Sequence, residues 1–168
     1  KLILSSDGKL ALFYNAGGNS GILWCITSSD AGATWSTPIS IGGSSYTSNN
    51  SSVWQDTLNV DPAKRNDIYV VVDGYYKVWL RKMTYSGGVW YLGTQTTVVS
   101  STGGSPAYSN CSIAVQSTGR MWVNYCYYNG TAQNVHITYS DDGGVTWNGD
   151  TAGNANEPAH YVLETNVG

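Results

Sequence analysis

The chain has 168 residues, enough for a domain with a real hydrophobic core, and 8 Lys+Arg against 11 Asp+Glu give a formal net charge of -3. A domain that tracks phosphates carries a basic patch, but the densest cationic cluster here, Lys77, Arg81 and Lys82, has Asp73 beside it, so nucleic acid is not expected as a partner. No apolar run approaches the ~20 residues that span a bilayer, so no membrane span is expected.

Short strand-like runs separated by turn formers recur along the chain, and no segment has a helical pattern. Leu10 to Tyr14 predicts a strand, followed by a Gly17-Gly18 turn and a strand from Ile22 to Thr27. Ile68 to Val72 leads through Asp73-Gly74 into Lys77 to Thr84, and Met121 to Tyr128 leads through Asn129-Gly130 into Asn134 to Tyr139. Asp-Gly and Asn-Gly are tight-hairpin signals, and the 13 Tyr, 7 Trp and 20 Gly suit strands and turns respectively.

A repeat organises these hairpins. SSDAGATW at Ser28 to Trp35 matches SDDGGVTW at Ser140 to Trp147, and TYSGGVW at Thr84 to Trp90 reads as the same turn shortened by deletion. DGKLALFY from Asp7, NDIYVVVD from Asn66 and TGRMWVNY from Thr118 repeat the strand before each copy. Units of about 50 to 58 residues with four short strands have the size of a propeller blade. The expectation is an all-β fold, a β-propeller of four-stranded antiparallel blades, with about three present of six or more. The units run approximately 1–52, 53–107 and 108–157, with 158–168 opening a further blade. In the middle unit the four strands are expected at Thr57–Asp61, Asp67–Val72, Lys77–Thr84 and Val89–Val99. Three blades alone leave two apolar sheet faces bare, so the remaining blades are expected from the same chain or from other copies. A β-sandwich is the structural rival.

Cys25, Cys111 and Cys126 form no Cys-x-x-Cys pair, which leaves a Cys111–Cys126 disulfide or three small buried hydrophobes as alternatives. In SSDAGATW, Asp30 is suited to accept backbone N–H groups of its own turn, Gly32 to take a positive φ, Thr34 to extend the bonding and Trp35 to anchor the next strand. Asp142, Gly144, Thr146 and Trp147 take the same roles. These aspartates read as structural, and no metal or cofactor is expected.

These segments resemble the Asp-box, or bacterial neuraminidase repeat, Ser-x-Asp-x-Gly-x-Thr-Trp. Ser28, Asp30, Gly32, Thr34 and Trp35 match it in full, as do Ser140, Asp142, Gly144, Thr146 and Trp147, while the middle copy keeps Gly88 and Trp90 without the Asp. The resemblance implies a propeller of the sialidase-like superfamily, whose members include sialidases, other glycosidases, sugar-binding proteins and receptors. Sialidases hold a substrate carboxylate with three arginines. Here only Arg65, Arg81 and Arg120 occur, and the Phe-Arg-Ile-Pro-like segment that supplies the first is absent.

Ligands of propellers gather around the axis at loops that lead into the first strands. On that geometry the candidate glycan-binding residues are Trp54, Gln55, Tyr75, Tyr76, Arg81, Tyr108, Asn110 and Tyr127, which offer ring faces and directed hydrogen bonds. Asp56 and Glu157 are the candidate catalytic carboxylates if the chain hydrolyses glycosides. His136 and His160 read as structural or surface residues. Asn49, Asn50, Asn110 and Asn129 satisfy the Asn-x-Ser/Thr rule. The sequence is therefore expected to be a secreted or cell-surface propeller segment that binds a glycan or polysaccharide. Part of a glycoside hydrolase and a structural protein of the cell surface or an extracellular filament are the alternatives. Export would use a signal already removed or lying outside this chain.

Overall fold

The computed structural model describes residues 1–15, 22–42, 50–74, 76–100, 107–128, 131 and 133–149. The expected Gly17-Gly18 turn and the strand read in 158–168 lie outside them. The chain folds as three separate four-stranded antiparallel sheets, each a simple meander. The first holds β1 (Leu2–Leu4), β2 (Leu10–Asn15), β3 (Leu23–Ser28) and β4 (Ile39–Gly42). The second holds β5 (Ser51–Gln55), β6 (Ile68–Gly74), β7 (Lys77–Ser86) and β8 (Val89–Ser100). The third holds β9 (Ala107–Val115), β10 (Met121–Tyr128), β11 (Gln133–Ser140) and β12 (Asn148–Gly149). These are three consecutive blades of a β-propeller, not the two sheets of a sandwich.

The alternation of side chains across a strand sends each face of the middle sheet to a different neighbour. Ile68, Val70 and Val72 of β6 and Trp79 and Met83 of β7 pack with Ile3, Ala11, Phe13, Leu23, Cys25 and Ile41 of the first sheet. Tyr69 and Val71 of β6 and Val78 and Leu80 of β7 pack with Ile113, Val115, Met121, Val123 and Tyr125 of the third. All of β6 is consequently buried, and its nearly unbroken run of β-branched residues is the sequence trace of that double coverage. The first strands of neighbouring sheets also touch, with the Ile113 N–H donating to Ser52 Oγ at 3.4 Å.

The middle unit's first strand is β5, at Ser51–Gln55, and not the expected Thr57–Asp61. Local polar bonds explain the difference. Asn59 Oδ1 accepts from the Asp61 N–H at 2.9 Å, Asp61 Oδ1 accepts from the Ala63 N–H at 3.0 Å, and Pro62 opens a 3₁₀ turn over Pro62–Lys64. Leu58 and Val60, which suggested a strand, are 70% and 69% exposed. In the shortened middle copy, Gly87 and Gly88 have φ of +58° and +81°, closing a two-residue hairpin between β7 and β8. All three cysteines are free thiols; Cys25 and Cys111 are buried, Cys126 half-buried. Burial pushes the Cys25 thiol up to about 12.

The third sheet's Ser140–Trp147 turn is fitted against the middle sheet. Gly144 has φ +88°, and a Cβ there would run into Leu80 Cδ2 of the neighbouring sheet. Gly144→Ala is expected to cost about 2–3 kcal/mol, the left-handed backbone plus overpacking. Gly119→Ala, at φ +94° with open space around it, should cost only about 1 kcal/mol. Urea unfolding of the two variants checks the difference.

Candidate functional site

Each sheet has two ends. At the crossover end β2, β4, β6, β8 and β10 finish and the strands that follow them begin. The opposite, turn end carries the first-to-second-strand connections and the aspartate turns.

At the turn end, Ser28 Oγ donates to Asp30 Oδ1 at 2.8 Å and accepts from the Gly32 N–H at 2.9 Å. Asp30 then accepts from the Thr34 N–H at 2.8 Å and from Thr34 Oγ1 at 2.6 Å. Ser140, Asp142, Gly144 and Thr146 repeat the pattern: Ser140 Oγ to Asp142 Oδ1 at 2.8 Å, and Thr146 N–H and Oγ1 to the carboxylate at 2.9 and 2.5 Å. Gly32, at φ +93°, takes the left-handed conformation that lets the turn close. Both carboxyls are held at about 2, first by the threonine hydroxyl and next by the threonine amide. Trp147 packs between the second and third sheets. Trp35, its counterpart, precedes β4 and is 38% exposed.

The structure separates the sequence-derived site residues between the two ends. Trp54, Gln55 and Asp56 follow the course of β5 to the turn end, because that strand begins at Ser51 rather than after Asp56. Trp54 packs against the core between the second and third sheets. Gln55 Nε2 donates to the Leu4 carbonyl of the first sheet at 2.9 Å. Asp56 has no exposed surface, and its Oδ2 accepts from Asn59 Nδ2 at 2.7 Å. Burial raises its pKa, against the Asn59 hydrogen bond that lowers it. Nearby Asp67 pairs with Lys82 at 2.7 Å. Arg81 lies mid-sheet, beside Ile41, Gly42, Val70, Val72 and Gln95 at the first junction.

Tyr76, Tyr108, Asn110 and Tyr127 lie at the crossover end. Tyr108 and Tyr127 face each other across β9 and β10 with ring centroids 5.3 Å apart. Tyr125 meets Tyr108 edge-on at 5.6 Å and stacks on His136 at 5.6 Å with 7° between planes. His136, read as structural or surface from sequence, thus belongs to an aromatic group of four in which Tyr108 and Tyr125 are buried and Tyr127 and His136 half-buried. Burial, and then Tyr127, push the Tyr108 phenol well above its ordinary range. Asn110 sits on a β-bulge at φ +54°. Its N–H and that of Cys111 lie against buried Asp73, whose carboxyl also accepts from the Asn50 N–H at 3.2 Å. Burial raises the Asp73 pKa, and these amides partly offset it. Tyr76 is exposed beside the β6–β7 hairpin. Tyr75 and Glu157 lie outside the described residues.

Also at this end, a cleft of about 410 Å³ opens between the first and second sheets, lined by Lys1, Phe13, Tyr14, Asn15, Leu23, Ser51, Ser52 and Val53. Two hydroxyls, an amide and a lysine face a phenyl and a phenol, a mixture that suits a polyhydroxylated ligand. The sequence reading missed these residues. Ser51 and Ser52 would have been found had the start of β5 been placed correctly. Among the described residues no group of three or more His, Cys, Asp or Glu is placed to hold a metal, and no helix is long and apolar enough to cross a membrane.

No family model and no curated protein matches the chain. Solved structures do. A polysaccharide lyase of family PL25, an ulvan lyase bound to -[GlcA(1-4)Rha3S]-, is similar with a TM-score of 0.64 at 13% identity, over 89% of this chain and 42% of that one. A protein of unknown function from Dyadobacter fermentans DSM 18053 follows with 0.56 at 16% identity, over 88% and 48%. Penicillium chrysogenum α-L-arabinanase complexed with arabinobiose gives 0.51 at 12%, over 88% and 46%. The likeness is one of fold. The chain spans less than half the length of each of these proteins.

The aspartate turns set an acid response. Asp30 and Asp142 have folded-state values near 2, below the ~3.9 of an unfolded chain. Their contribution is therefore full above pH ~4 and is lost as pH falls toward 2. Asp56 and Asp73, raised by burial, act in the opposite sense. Acid titration of stability should show a loss between pH 4 and 2 that the Asp30→Asn, Asp142→Asn double variant largely removes.

Proposed function

We propose that this chain is a segment of an extracellular, carbohydrate-binding β-propeller of the Asp-box kind, which takes a glycan at its crossover end. The observation that carries the reading is the cleft between the first and second sheets, with its hydroxyl, amide and ring lining. The Tyr108–Tyr127 edge lies at the same end of the next junction. Pyranose and furanose rings present an apolar face bounded by hydroxyls, and this end offers aromatic surface with directed polar groups to both. Two of the similar solved structures, a polysaccharide lyase bound to a saccharide and an arabinanase complexed with arabinobiose, support a glycan as the ligand class.

On this reading Tyr14, Asn15, Ser51 and Ser52 hold the sugar, with Tyr76, Asn110 and Tyr127 on the surrounding rim. Trp54, Gln55, Arg81 and Asp56 support the sheets. The aspartate turns hold the fold from the far end. Further blades, from the same chain or from other copies, cover the outer faces of the first and third sheets. Leu2 and Leu4 are exposed on one. Trp122 and Tyr139 stack with Arg120 on the other.

The second reading, part of a glycan-cleaving enzyme, is favoured by the activities named for the lyase and the arabinanase. It needs a carboxylate or other catalytic group besides Asp56, which is closed off from solvent.

Calorimetric titration with neutral and acidic oligosaccharides tests the proposal. Binding is expected, weakened about two- to tenfold by Tyr14→Ala, since a ring contact is worth roughly 0.5–1.5 kcal/mol. Binding that survives Tyr14→Ala and Ser52→Ala together, or no binding by any saccharide, overturns it.

A further inference from the structure

A second cleft, of about 360 Å³, lies at the turn end, far along the sheets from the one just described. Lys9, Thr27, Ser28, Ser29, Thr34, Trp35 and Ser36 of the first sheet line one side, and Gly88, Val89 and Trp90 of the second line the other. Its origin is the deletion in the middle repeat. Where the first and third sheets carry a full Ser-x-Asp-x-Gly-x-Thr-Trp turn, the second closes directly through Gly87 and Gly88. Trp90 keeps the interior position that Trp147 has one sheet later. It is buried and donates its indole N–H to the Asn66 carbonyl at 2.8 Å. The space above it that the missing turn residues would fill is open.

The groups around that space are of two kinds. Ser28 and Thr34 hydroxyls are committed to Asp30, and Ser36 Oγ donates to the Thr37 carbonyl and accepts from the Thr27 N–H. These form a rigid wall. The Ser29 hydroxyl and the Lys9 ammonium make no hydrogen bond among the described residues and are available to a guest. Lys9 Cε and Asp7 Oδ2 lie 3.6 and 3.9 Å from where a Cβ of Gly88 would be. Asp7 Oδ1 is occupied by Ser5 Oγ and Tyr85 OH, each at 2.5 Å. One cation and one carboxylate therefore meet at the mouth, and their charges offset. Val89, 51% exposed, and the edge of Trp35 supply apolar surface.

We infer that this turn-end cleft is a second carbohydrate-binding site, taking one or two neutral sugar residues between the Ser28–Trp35 turn and the Gly87-Gly88 hairpin. Its volume falls in the range of ligand pockets, about 300–1,000 Å³, and its donors and acceptors converge on a partly apolar floor. A site at each end of the sheets lets one segment hold two stretches of a polysaccharide, with the gain in avidity that linked sites give.

The test is an NMR titration of the ¹⁵N-labelled chain with glucose, galactose, maltose and cellobiose. Saturable shifts are expected at Ser29, the Trp35 indole, Gly88 and Val89. Ser29→Ala and Lys9→Met should each weaken that response about fivefold, while Tyr14→Ala leaves it unchanged. Grafting the residues SSDAGATW in place of Ser86 to Trp90 fills the space and should abolish the turn-end shifts. Shifts confined to the crossover end, or turn-end shifts that persist in the point variants and in the graft, overturn this inference and leave the crossover site standing. No shift at either end with any of the four sugars overturns the inference outright.

Discussion

Strand β6 is the element on which the rest is stacked. Seven consecutive buried residues, Ile68 to Gly74, have no solvent face. Ile68, Val70 and Val72 look to the first sheet, and Tyr69 and Val71 to the third. Burial of each such side chain contributes about 1.5–3 kcal/mol, and only a sheet on either side provides it. The junctions are sealed at points where a polar group crosses. Asp73 meets the backbone at Asn50, Asn110 and Cys111, and Gln55 reaches Leu4. Both clefts belong to the first junction, one at each end, where its two sheets part.

Much of this organisation was legible in the residues. Paired Ser-x-Asp-x-Gly-x-Thr-Trp turns marked the ends of β3 and β11, and the hydrogen bonds found there follow from the chemistry of Ser, Asp and Thr in a tight turn. Gly87-Gly88 marked the turn from β7 into β8, whereas Asp73-Gly74, read as a turn, completes β6, where Asp73 pairs with Val78 and Gly74 with Lys77. The missed strand, β5, was harder to see. SSVWQ has one buried apolar side chain, Val53, with Trp54 half-buried and Ser51 and Ser52 as its first residues. LNV at Leu58 to Val60 presents a stronger apolar pattern on a segment that its own Asn59 and Asp61 side chains hold as a loop.

That displacement of the first strand carried through to the site. Trp54, Gln55 and Asp56, expected where the chain enters the second sheet, sit where its first strand ends, while Ser51 and Ser52 take the crossover position. The pairing of Tyr108 with Tyr127 and of Tyr125 with His136 depends on the β9–β10–β11 register, including a bulge at Asn110, which no local motif encodes. The turn-end cleft, in contrast, was written in the sequence as a deletion. Its meaning emerged only when the neighbouring full turn was seen to form the opposite wall.

The claim that three sheets stack face against face is tested most directly by placing a charge on each face of β6 in turn. Val70 and Val71 are adjacent, and both are fully buried, toward the first and third sheets respectively. Equilibrium unfolding of Val70→Asp and Val71→Asp should show both losing more than about 3 kcal/mol, or failing to fold, because each leaves an unpaired carboxylate in an apolar junction. A strand with one solvent face would tolerate one of the two, and near-native stability in either variant would contradict the stacked arrangement.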